Sequence, residues 1–132
     1  MMTETMKPPL SLKIVNLSIG SGRHCVPGDV AVCHCVCLLH QGDQLFASEA
    51  SQPYQIRVGA RNSFAGIEYG LLGMKIGGHR KIIVPPNLAY GERKAFPELS
   101  EKSLLVYQIK LTDLPAKWDP EMDRRLSERT NP

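Results

Sequence analysis

Between Pro53 and Gly73 the apolar residues change period once, and that change constrains the architecture more than any other feature. In Tyr54-Gln55-Ile56-Arg57-Val58 they alternate. Tyr54, Ile56 and Val58 therefore face one side and Gln55 and Arg57 the other, as in a half-buried strand. Immediately afterwards Phe64, Ile67, Leu71 and Leu72 fall at helical spacing. Asn62 or Ser63 is placed to cap the start, and Gly70 and Gly73 limit the length. Ahead of the C-terminal tail, no other segment reads as a good helix. Strand signals surround it: Leu10 to Ser18, Val30 to Leu39, a short piece from Leu45-Phe46, and Leu105 to Leu111 with Leu105, Tyr107, Ile109 and Leu111 on one side. Pro27-Gly28-Asp29 and Gln41-Gly42-Asp43 supply turns between them. The expected class is α+β, with several antiparallel strands and one short helix covering an apolar sheet face.

The stretch from Gly73 to Gly91 carries the densest punctuation. Gly77-Gly78 suits a tight entry, because glycine adopts backbone shapes that a Cβ would forbid. His79 to Val84 then reads as a strand whose start is solvated. Pro85 and Pro86 lack amide donors, so the ladder is expected to end near Val84. Tyr90 follows within Leu88-Ala89-Tyr90-Gly91, a poor position for a core residue and a good one for a hydroxyl offered to a cleft. Glu92 to Lys102 reads as a polar loop with Phe96-Pro97 in its middle, and Glu68 as a solvated residue on the helix's polar side.

A chain of 132 residues suits one domain. The division expected is a tail over 1–9, a domain over 10–114 and a tail over 115–132, in which Asp119 to Arg129 has the cap, first-turn proline and early acid of a short helix. A hydrophobic share of 42% with 22% charged residues argues for a packed core. The formal charge of +3 is spread among acids, so no basic face for nucleic acid emerges. The most apolar run, Val30 to Leu39, is interrupted by His34 and is far shorter than the roughly 20 residues of a membrane span. No apolar leader precedes Pro9, so a cytoplasmic location is expected.

Cys25, Cys33, Cys35 and Cys37 lie close together with His24, His34 and His40 among them. A metal or redox site is the alternative to consider. Yet Cys33, Cys35 and Cys37 alternate along one strand face, no CxxC pair occurs, and no second cluster completes a zinc spacing. They read as small buried hydrophobes, with no metal and no cofactor implied.

The order of these elements resembles the FKBP-type peptidyl-prolyl isomerases, the macrolide-binding immunophilins. The resemblance runs from about Ile19 to Leu114, and its most specific parts are Met74-Lys75-Ile76-Gly77-Gly78-His79-Arg80 and Ala89-Tyr90-Gly91. It implies a twisted antiparallel sheet wrapped around one short helix, with a shallow apolar pocket between them. It also implies isomerisation of X-Pro bonds in peptides or proteins, without nucleophile, metal or cofactor. Carried over position by position, Phe46, Tyr90 and Tyr107 match residues of the family's catalytic pocket. Tyr54, Ile56, Phe64, Ile67, Cys35 and the loop residue Phe96 stand at substrate-contacting positions.

Three positions depart from the family pattern. Ile67 replaces a floor tryptophan, Cys35 replaces a tyrosine, and Ala47 replaces an acid. Phe96-Pro97-Glu98-Leu99 stands where the family has an Ile-Pro-Pro element. Lost aromatic area and a lost carboxylate weaken ligand contacts. The resemblance thus implies a prolyl isomerase of modest activity with reduced macrolide affinity. The alternative is an FKBP-like module that binds a partner protein with little turnover.

Overall fold

The structure, a computed structural model, describes residues 7–117. The strands are β1 (Lys13–Ser18), β2 (Ser21–His24), β3 (Asp29–Leu39), β4 (Gln44–Ala47), β5 (Tyr54–Arg57), β6 (Lys75–Ile76), β7 (His79–Val84) and β8 (Leu105–Lys117). The helices are α1 (Ala65–Leu71) and α2 (Tyr90–Ala95), with a 3-10 turn at Pro86–Leu88. No helix among the described residues is long and apolar enough to cross a membrane.

The main sheet is antiparallel and ordered β1-β7-β8-β3, with β4 and β5 both on the far edge of β3. Eleven residues long, β3 serves two neighbours in succession: Val30 to Cys33 pair with β5, and Val36 to Leu38 pair with β4. Its alternation sends Ala31, Cys33, Cys35 and Cys37 into the core. Across β8 the same face carries Leu105, Tyr107, Ile109 and Leu111, all fully buried. Ile82 and Val84 complete it from β7. A separate two-stranded ribbon joins β2 to β6.

Helix α1 lies across β7 and β8, and two glycines one turn apart let it come close. A Cβ on Gly66 would sit 2.8 Å from Val84 Cγ2 and 3.0 Å from Tyr107 Cε2. A Cβ on Gly70 would sit 2.8 Å from Ile82 Cδ1. Gly70 is thus a packing residue inside the helix and not a limit to it, which corrects the expectation from sequence. The cap also differs from that expected. Phe64 holds the N-cap position without a side-chain hydrogen bond. Glu68 instead ties the loop ahead of the helix to it. Its carboxylate accepts from the backbone N–H of Gly59 (2.9 Å), Arg61 (3.2 Å) and Ser63 (3.0 Å), and from Ser63 Oγ (3.1 Å). It is 3% exposed, not solvated as expected. At the other end Arg80 donates to the carbonyls of Gly70 (2.9 Å) and Leu72, which satisfies acceptors that a helix C-terminus leaves open.

Gly77 turns at φ +89°, the left-handed region that glycine tolerates, and β7 stops at Val84 before Pro85, both as predicted. His79 is half-buried at the strand start. Two further departures occur. Residues Tyr90–Ala95 form α2 where a loop was expected from Glu92 onward. Strand β8 runs past Leu114 to Lys117, with Pro115 in an irregular stretch between the pairs Val32–Asp113 and Val30–Ala116, where a missing donor costs no regular ladder bond. The helix expected over 119–129 lies outside the described residues.

Candidate functional site

The site is built around Phe46 on β4. The register places Phe46 beside Cys37 at an irregularity of the β3–β4 ladder, and Cys37 in turn pairs with Tyr107 across β8. Three rings meet Phe46. Tyr107 packs edge-on at a centroid distance of 5.9 Å, Phe64 is tilted at 5.6 Å, and Phe96 lies nearly parallel, at 4° and 5.6 Å. Strand β4, the start of α1, the end of α2 and β8 therefore converge on one half-buried ring. Such pairs contribute about 0.5–1.5 kcal/mol each beyond their buried area.

Tyr90 opens α2 and is 67% exposed, the one tyrosine among the described residues that presents itself to solvent. Its neighbour Gly91 faces Phe64, whose Cδ1 would lie 3.5 Å from a Cβ there. Tyr90 is thus next in the chain to a residue that touches the aromatic cluster, on a short helix tied to the 3-10 turn before it: Arg93 donates to the carbonyl of Pro86.

Tyr107 behaves differently from Tyr90. It is fully buried, and its hydroxyl donates to Glu92 Oε2 at 2.6 Å. The resemblance implies a place for Tyr107 in the catalytic pocket; its hydroxyl is committed inward. Glu92, only 1% exposed, was read as a loop residue and was missed. The signal that finds it is tertiary, because nothing in the α2 sequence alone marks this acid as buried. Burial raises the carboxyl of Glu92 above the usual carboxylate range, while the hydrogen bond from Tyr107 works against that rise. Burial also pushes the Tyr107 phenol far up.

The remaining predicted residues lie beneath or beside the ring cluster. Ile67 on α1, Ile56 on β5 and Cys35 on β3 are buried in the core. Tyr54 at the head of β5 is half-buried and packs against that core, and burial raises its hydroxyl's pKa. All four cysteines are buried, as expected. Burial pushes Cys33 and Cys37 up to about 12 and Cys35 further still, so the thiols stay protonated and are poor nucleophiles or ligands. Among the described residues no group of three or more His, Cys, Asp or Glu is arranged to hold a metal ion. A cleft of about 740 Å³ opens nearby, between the β3–β4 turn and the segment that follows α2, with Leu39, Leu45, Leu99 and Lys102 in its walls.

The sequence profile of the FKBP-type peptidyl-prolyl cis-trans isomerases matches residues 21–112. The chain belongs to that family. Among FKBP-type relatives, an FK506-binding protein 4 of Chaetomium thermophilum is 36% identical over 114 residues, which cover 82% of this chain and 23% of that protein. A 46 kDa FK506-binding nuclear protein of Spodoptera frugiperda is 32% identical over 104 residues, 78% of this chain and 25% of that one. This FKBP-type chain thus spans about a quarter of the length of the curated relatives it matches. Among solved structures, AtFKBP13 superposes with a TM-score of 0.68 at 25% identity, covering 86% of this chain and all of that one. FkpA from Escherichia coli gives 0.70 at 27%, covering 87% of this chain and 52% of that one. The antiparallel sheet with a short helix across it is the FKBP arrangement.

Proposed function

We propose that the chain is a peptidyl-prolyl cis-trans isomerase acting on X-Pro bonds of peptides or proteins. The observation that carries the reading is the set of rings gathered on Phe46, with Tyr90 exposed, in a chain of the FKBP family. Rotation about an X-Pro bond meets a barrier of roughly 20 kcal/mol because amide resonance is lost in the twisted state. Lowering it needs no nucleophile. An apolar, aromatic surface takes the proline ring and the bond away from water, where the less polar twisted amide loses less solvation than the planar ground state. In this reading Phe46 and Phe64 hold the ring, Tyr90 donates a hydrogen bond to a substrate carbonyl, and Tyr107 supports Phe46 from behind. Tyr54, Ile56, Ile67 and Cys35 shape the floor.

The relatives' names include FK506 binding, and a macrolide is a second ligand class for the same surface. Ala47, Cys35 and Ile67 each remove a contact the family uses, so macrolide affinity is reduced. A non-catalytic binding module is the other reading, favoured by Phe96 lying against Phe46. A magnetisation-transfer or protease-coupled assay on Xaa-Pro peptides separates the two. Turnover above background that falls in Phe46→Ala supports the isomerase. Background turnover by the folded wild-type chain sinks it.

A further inference from the structure

We infer that the free edge of β1 is a docking site where an extended acidic segment of a partner protein adds to the sheet as a further strand. Strand β1 ends the strand order of the main sheet, and its outward edge meets no other strand among the described residues. Such an edge offers unpaired backbone N–H and C=O groups to another chain. Apolar side chains gather along it. Val15, Leu17, Ile19 and Ile76 are 39–57% exposed, and they are four of the six large hydrophobics exposed among the described residues. Ile76 belongs to the far end of the same strand, since Ser21 pairs with it and a Cβ on Gly20 would collide with its carbonyl.

Charge decides the occupant. From Leu10 to Gly28 and from Tyr69 to Gly91 the chain contains no Asp or Glu, and these two stretches supply β1, β2, β6 and β7. Arg23 is paired with Asp29 (2.9 Å) and Arg80 is engaged by carbonyls at the end of α1. Lys13, Lys75 and Lys81 meet no carboxylate among the described residues. Lys81 lies opposite Val15 in the ladder, and Lys13 stands two residues along on the same side of β1. Two ammonium groups thus flank an exposed valine. A residue on an added strand would stand about 4.5–5.5 Å from its opposite number on β1, which brings a carboxylate to Lys13 and an aliphatic side chain to Val15. The fitting segment alternates acidic and branched apolar residues. Pairing two β1 edges would instead set these lysines against their copies, and like charges opposite one another destabilise a ladder. Nucleic acid fits less well, because no exposed aromatic residue lies on β1 or β6 for a base to stack on.

The register irregularity between Asn16 and Ser18 confines regular pairing to Lys13 through Asn16, so the added strand is short. Beyond it Leu17, Ile19 and Ile76 offer apolar contact. Strand β4, which carries Phe46, lies at the other end of the strand order, four strand spacings or roughly 19 Å away along the sheet. Docking at β1 is therefore independent of the isomerase site proposed above.

The test follows by NMR the isotope-labelled full chain titrated with a short, proline-free peptide that alternates Glu and Val. Two control peptides carry Lys in place of Glu, or N-methyl groups on alternate amides. The Glu–Val peptide should shift the amide signals of Lys13 to Ser18, and its affinity should fall as salt is raised. Lys13→Gln and Lys81→Gln should each weaken it by about 1.5- to 5-fold, the equilibrium worth of one exposed ion pair. The N-methylated peptide, which cannot donate to the ladder, should bind far more weakly. Equal binding of the Lys peptide or of the N-methylated one would overturn the acidic strand, as would the absence of shifts in β1. Sedimentation of the chain alone as a dimer that Val15→Lys abolishes would make a second copy the occupant and overturn it too. Because the peptide lacks proline, none of these outcomes bears on the isomerase reading.

Discussion

Tyr107 donates its hydroxyl to Glu92 at 2.6 Å, and both side chains are buried. The pair joins β8 to α2 behind Phe46, so the orientation of the central ring depends on two residues that never meet solvent. Removing the donor leaves a buried acceptor unsatisfied, which costs about 1–3 kcal/mol. Tyr107→Phe should lower stability by that amount, read as a shift of the urea midpoint at constant slope.

Glu92 also makes stability depend on pH, with a definite sign. Burial raises its folded carboxyl above the unfolded value, so the folded chain holds the proton longer. The contribution is fully present below the ordinary carboxylate range of about 4.3 and is lost as pH rises through the raised folded value. Glu92→Gln keeps an acceptor for Tyr107 and does not titrate. The stability of the wild type relative to Glu92→Gln should therefore fall as pH rises through that window, measured by urea unfolding at a series of pH values; a flat difference would count against a buried titrating Glu92.

Tyr90 separates site from core. Being 67% exposed, it contributes little packing, and Tyr90→Phe should move stability by less than about 0.5 kcal/mol. Loss of one hydrogen bond to substrate should lower kcat/KM by about 2- to 10-fold. A large stability change would mean that its hydroxyl serves the fold.

Gly70→Ala sets helix propensity against packing. Alanine gains up to about 1 kcal/mol in a helix interior. Its Cβ would nevertheless stand 2.8 Å from Ile82 Cδ1 and 3.2 Å from Ile109 Cδ1, and both neighbours are themselves buried. Overpacking of this kind costs about 1–3 kcal/mol, so the net effect should be a lower melting temperature.

The thiols of Cys33, Cys35 and Cys37 should resist a disulfide reagent in the native chain near neutral pH, since burial both hides them and raises their pKa. Reaction should become rapid once urea unfolds the protein. Fast labelling of a native thiol would contradict the packing of β3.

Much of this was legible in the residue order. Alternation in β3, β5 and β8, helical spacing from Phe64 to Leu72, the Gly77 turn and the stop at Pro85 are consequences of local geometry, and local geometry is written in neighbouring residues. The match of those elements to a family also singled out Phe46, Phe64 and Tyr90 as candidates. What lay beyond reach were the relations between residues distant in the chain. Glu68 looked solvated until its loop wrapped four donors around it, and Glu92 looked like loop until Tyr107 came to meet it from 15 positions away. Gly70 looked like a helix stop, whereas the sheet beneath it requires the missing Cβ.

Residue order alone sets the long strands, the principal helix and the turns between them, because those depend on side-chain period and backbone restriction within a few residues; the short ribbon of β2 and β6 it leaves unmarked. Which tyrosine is offered and which is sealed, and that Phe96 rests on Phe46, are settled in three dimensions. Burial and ring contact depend on what the fold brings against a side chain.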